Sequence, residues 1–187
     1  SGQMETIGFD LYMEMLQEAL AEIQGQDIPK VEDVQIDLPI TAFIPSEWIT
    51  DSNEKMEAYR SASGCNTWQE LVELSIVWSD RYGSMPKSVE SLIQLMRLKQ
   101  LACQCGFSRI QHKTQNIELE TPMEKPAFIL LKKGLPDHLQ SRLIFKHSEN
   151  TITQVIARGL GVLNSEKQLD ELINWLQLMV DSLTIKK

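Results

Sequence analysis

The chain has 187 residues, 42% of them hydrophobic and 24% charged, with a formal net charge of −8. That length and balance suit one globular domain able to bury its own core without a disulfide or a metal. There is no apolar run of about 18 residues to span a membrane, and residues 1–5 lack the basic-then-apolar pattern of a secretory signal. An acidic surface also argues against duplex binding, which rests on Lys and Arg neutralising phosphates.

The first predicted element is a helix over residues 7–24, where Phe9, Met13, Leu16, Leu20 and Ile23 make one apolar stripe. Gly25 and Pro29 stop it. Val34, Ile36 and Leu38 alternate with polar neighbours as in a half-buried strand. Thr41–Ile44, between Pro39 and Pro45, reads as an edge or irregular strand.

Helices dominate the middle. Asp51 and Glu54 have capping spacing ahead of a short helix through Met56 and Tyr59. Thr67 and Glu70 form a capping box opening a helix with Leu71, Leu74 and Trp78 on one face and Gly83 at its end. Pro86 starts the next helix, about residues 86–104. Its stripe of Val89, Leu92, Ile93 and Met96 is widened by Leu95, Leu98 and Leu101, so it reads as the central, buried helix, closed by Gly106.

The last third is mixed. Three short strands are predicted, around Ile117–Leu119, Leu143–Phe145 and Thr151–Ala157, with a helical turn between Phe128 and Leu139 interrupted by Gly134 and Pro136. Ser165 and Gln168 cap a final helix to about Leu183, with Leu169, Leu172, Ile173, Leu176, Val180 and Leu183 as its stripe. The fold class is α+β: a helical layer, short strands in two places and a long C-terminal helix. Residues 1–187 read as a single domain, with a helical core and a short strand pair to residue 106 and a strand–helix part over 107–187.

Signatures of catalysis are missing. No P-loop occurs, and Gly159-Leu160-Gly161 reads as the loop before the last helix. His112, His138 and His147 have no metal-ligand spacing, and no G-x-S-x-G elbow marks a nucleophile. A triad assembled only in three dimensions would escape this reading, so a hydrolase is carried as a minor alternative. Cys65, Cys103 and Cys105 suit a reducing compartment, and Cys103-Gln104-Cys105 lacks the further ligands a metal needs. Lys132-Lys133 and Lys186-Lys187 read as solvated ends. The expectation is a cytoplasmic, non-enzymatic domain without cofactor or metal.

Three stretches carry a resemblance. They are Ile7–Leu16 with Val34–Pro39 and Ala42–Pro45; Asp80-Arg81-Tyr82-Gly83-Ser84-Met85-Pro86; and the order of strands, Pro-containing turn and terminal helix after Gly106. Together they resemble the C-terminal (TRCF) domain of the bacterial transcription-repair coupling factors, the Mfd family. The match is closest over residues 7–106. Ser1-Gly2-Gln3-Met4 looks like sequence running out of that family's motor, which would make the chain part of a longer protein.

The resemblance implies a parent that is an ATP-driven DNA translocase, displacing stalled RNA polymerase and recruiting UvrA. It implies a terminal domain that packs on the UvrA-binding homology module of the same parent, masks UvrA binding and restrains the motor. UvrA and RNA polymerase would be met only indirectly, and no nucleic acid directly. Carried over residue by residue, the contact falls on Asp80, Arg81, Tyr82 and Gly83. Val77 stands where many members have an acidic residue, which changes the local charge of that contact. The alternative is direct contact with RNA polymerase or nucleic acid within the same assembly.

Overall fold

A computed structural model describes residues 8–16, 19 and 26–185. Residues 8–16 are helical, and Phe9 and Leu16 of the predicted stripe are exposed; Leu20 and Ile23 lie outside the described residues. Strand β1 (Gln35–Asp37) follows, then helices α1 (Ser52–Gly64), α2 (Trp68–Tyr82) and α3 (Lys87–Cys105). The second half contains β2 (Arg109–Lys113), β3 (Asn116–Glu120), α4 (Lys125–Lys132), α5 (Asp137–Gln140), β4 (Leu143–Ser148), β5 (Thr151–Ala157) and α6 (Ser165–Ile185).

Local chemistry accounts for most helix ends. Asp51 accepts the Glu54 amide at 2.9 Å, and Thr67 accepts that of Glu70 at 3.2 Å. Glu70 completes its box one residue further back than expected, accepting from the Asn66 amide at 2.8 Å. Pro86 sits at the cap of α3 rather than inside it. Gly106 ends α3 at φ +80°, a left-handed geometry that also brings its backbone against the Pro29 ring.

The strands form a mixed sheet in the order β1-β2-β3-β5-β4. Only β1 against β2 is parallel; the other pairings are antiparallel. A parallel pair needs a crossover connection, and here that connection is the whole α1–α2–α3 module. The two places that hold strands in the sequence thus join into one sheet.

Two predictions are corrected. The second half holds four strands rather than three, the additional one being β2: Ile110 is its one strongly apolar residue, and the Thr114–Gln115 turn has no glycine, with Thr114 at φ +51°. Thr41–Ile44 is not a strand. Two of its amides find separate partners outside any ladder, Phe43 donating to the Ser88 carbonyl at 3.2 Å and Ile44 to the Tyr59 hydroxyl at 2.8 Å, so the segment straps α1 to α3.

Two apolar clusters form the core. Ile44, Ile49, Leu71, Trp78, Val89, Leu92 and Ile93 pack among α1, α2 and the first half of α3. Leu98, Leu101, Ala102 and Cys105, from the second half of α3, join the sheet and α6 in the larger cluster. Helix α3 therefore lies in both, as its apolar surface on more than one side required.

Candidate protein-contact site

The sequence-predicted contact residues fall on the last turns of α2, and helical geometry splits them between two faces. Trp78 and Tyr82, four apart, point inward. Trp78 stands edge-on to Trp48 with ring centres 6.1 Å apart, and Tyr82 packs on the same ring at 5.5 Å. The Tyr82 hydroxyl lies 3.4 Å from one Glu54 oxygen, and the Arg81 guanidinium holds the other at 2.6 Å. Arg81 also sits 5.3 Å from the Tyr82 ring centre. Glu54 thus ties the end of α2 to α1. Burial holds the Tyr82 phenol above its ordinary range; Arg81 opposes that shift, and the Glu54 carboxylate adds to it.

Gly83 ends the helix at φ +90° and donates to the Ser79 carbonyl at 3.0 Å. Open space surrounds the position a Cβ would take, so its conformation and not crowding favours glycine there.

Val77 and Asp80 face outward. Val77 is 58% exposed, beside Ile76 at 57%. Among the described residues Asp80 has no salt-bridge partner. The structure therefore brings Arg81 and Tyr82 together with Glu54, and leaves Asp80 and Val77 on open surface.

Asp80 stands at the rim of a groove of about 790 Å³ between α2, α3 and the start of α6. Its walls are built from Trp68, Val72 and Ile76 of α2, Ile93 of α3, Leu169 of α6 and the intervening Met85. Trp68, Val72 and Ile76 recur every fourth residue, a second apolar stripe beside the buried one of Leu71, Leu74 and Trp78. That spacing was the available signal for the groove. Glu54, in contrast, reads in the sequence only as a capping residue, because its partner lies a full helix away.

Among the described residues no group of three or more His, Cys, Asp or Glu side chains could hold a metal. His112 contacts the Gly161 carbonyl at 3.0 Å through Nε2, and His147 the Thr153 hydroxyl at 2.7 Å through Nδ1. All three cysteines are free, and burial pushes the Cys105 thiol well above its ordinary range. No described helix is long and apolar enough to cross a membrane.

The architecture defines a class: an α+β domain with a three-helix module inserted between adjacent parallel strands of a mixed sheet. The same fold occurs in a crystal structure of the C-terminal domain of transcription-repair coupling factor. It superposes with a TM-score of 0.67 at 16% identity, covering 86% of this chain and all of that one. The TRCF domain model matches residues 38–128. The transcription-repair-coupling factor of Escherichia coli K12 is 32% identical over 147 residues, 74% of this chain and 13% of that protein. That of Staphylococcus epidermidis RP62A is 25% identical over 99% of this chain and 16% of its own length. The chain belongs to the transcription-repair coupling factor family and is its TRCF C-terminal domain. It spans about one-sixth or less of the length of these relatives.

Proposed function

We propose that this domain is a non-catalytic regulatory module of a transcription-repair coupling translocase. It packs on the UvrA-binding homology module of its parent, masks the UvrA site and restrains ATP hydrolysis and translocation. The observation that carries this reading is the free carboxylate of Asp80 beside the exposed Ile76 and Val77, on the α2 end that Glu54 clamps through Arg81 and Tyr82. A helix end carrying a carboxylate with no partner among the described residues and two exposed apolar side chains suits a protein contact.

Arg81 spends its best hydrogen bond within the chain, so Asp80 is the better residue to test. In the parent, removing residues 1–187 raises the ATPase rate and tightens UvrA binding. Unchanged rate and affinity would sink the proposal. Asp80→Arg relieves restraint likewise, and a reciprocal Arg→Asp change on the facing module restores it in a double-mutant cycle. Direct nucleic-acid contact is disfavoured by the carboxylates at the groove, which repel phosphate.

A further inference from the structure

The groove between α2, α3 and α6 has a chemistry that selects its occupant. Its floor is apolar, and two of its large side chains are open to solvent, Trp68 at 39% and Ile76 at 57%. Among the described residues its rim carries Asp80, Glu90, Glu166 and Asp170 against a single ammonium, Lys87, which already pairs with Glu166 at 3.7 Å. The volume falls in the ~300–1,000 Å³ range of sites that take defined ligands, and Trp68, Val72, Ile76 and Asp80 line it at four-residue spacing along α2. Arg97 of α3 links two of the groove's helices, hydrogen-bonding Gln177 of α6 and lying 5.7 Å from the ring centre of Trp68 in α2.

We infer that this groove docks a cationic amphipathic helix from a protein partner. Its Leu- or Met-type side chains enter between Trp68 and Leu169, and flanking Lys or Arg residues meet the rim carboxylates. The chain's own exposed N-terminal helix does not qualify. It is apolar enough, with Phe9 and Tyr12, but residues 8–16 carry no Lys or Arg to meet the acidic rim. Phosphate-bearing ligands are repelled by the same rim. The groove shares Asp80 and Ile76 with the proposed regulatory contact, but the inference goes beyond that reading, since it stands or falls on binding to this chain alone, whatever the parent's ATPase does.

The test uses the 187-residue chain and a fluorescein-labelled synthetic helix of ~18 residues, with leucines at i, i+3, i+4 and i+7 and arginines elsewhere. Fluorescence anisotropy should show saturable binding. The pair Glu90→Lys and Asp170→Lys, both at exposed positions, should weaken it about tenfold, and Ile76→Ser should weaken it as well. Reversing Glu57 and Glu149, equally exposed but outside the groove, should change it by less than about twofold. A scrambled peptide of the same charge should bind at least about tenfold more weakly. Equal loss from the distant reversals, or equal binding of the scrambled peptide, overturns the inference in favour of unspecific charge attraction. A free chain that sediments as a dimer and dissociates with Ile76→Ser also overturns it, placing a second copy in the groove.

Discussion

Cys105 is fully buried in the second half of α3, its thiol facing the Leu176 carbonyl at 3.7 Å. Its ordinary thiol value is 9.0, and burial raises it far above that in the folded chain. A group whose folded value is raised holds its full stability below the unfolded value and loses it as pH rises past that point. Folding stability should therefore fall with pH above about 9, as the unfolded thiol ionises and the folded one cannot. Urea midpoints across that range should show the decline. Cys105→Ala should remove most of it, leaving the parts due to Cys65 and Tyr82, whose values are also raised. Glu54→Gln tests the other residue-level contact. Its ion pair with Arg81 is largely exposed, so the cost should stay within about 1 kcal/mol. The Tyr82 phenol should then titrate closer to its ordinary value by ultraviolet absorbance.

At the scale of elements, two side chains mark how α6 begins. The sequence places its cap at Ser165 with Gln168. In the structure Asn164 fills that role, accepting the Lys167 amide at 2.9 Å through its side chain. Gln168 is buried and donates to the Leu163 carbonyl at 2.7 Å. Adjacent Asn and Ser are both good caps, and the hydrogen bond to Lys167 shows that Asn164 is the one used. Asn164→Ala should cost about 1 kcal/mol in chemical denaturation, and Ser165→Ala distinctly less. The preceding turn at Leu160–Val162 lies against the β2–β3 hairpin, where a Cβ on Gly161 would stand 2.5 Å from the Gln115 carbonyl carbon. Backbone cannot yield as a side chain does. Gly161→Ala should therefore destabilise by about 1–3 kcal/mol, read from the shift in denaturation midpoint. The periodic helices α2, α3 and α6 were legible because each repeats its apolar residues every turn. Even so, the stripe of α6 missed Trp175 and Met179, both buried. Strand β2 was not legible, since its partners β1 and β3, and not its own pattern, hold it in the sheet.

The whole molecule is knit by α3, whose first half belongs to the helical cluster and whose second half belongs to the sheet cluster. Leu98 and Leu101 are fully buried there. Leu98→Ala should cost about 2–5 kcal/mol. Far-ultraviolet circular dichroism and tryptophan fluorescence should still report a single, coincident transition, because Trp48, Trp78 and Trp175 sample both clusters. Two separated transitions would show that the helical module and the sheet unfold independently. What the sequence by itself determined is local: the α+β composition, the caps at Asp51 and Thr67, the stops at Gly83 and Gly106, and the central place of α3. These depend on residues within one or two turns of each other, where propensity and periodicity act. The tertiary structure alone decided that β1 pairs with β2 across the helical module, that Arg81 turns to Glu54, and that three helices enclose an acidic groove. Each of those joins side chains or strands remote in sequence, and burial and charge complementarity between such partners leave no periodic trace in the chain.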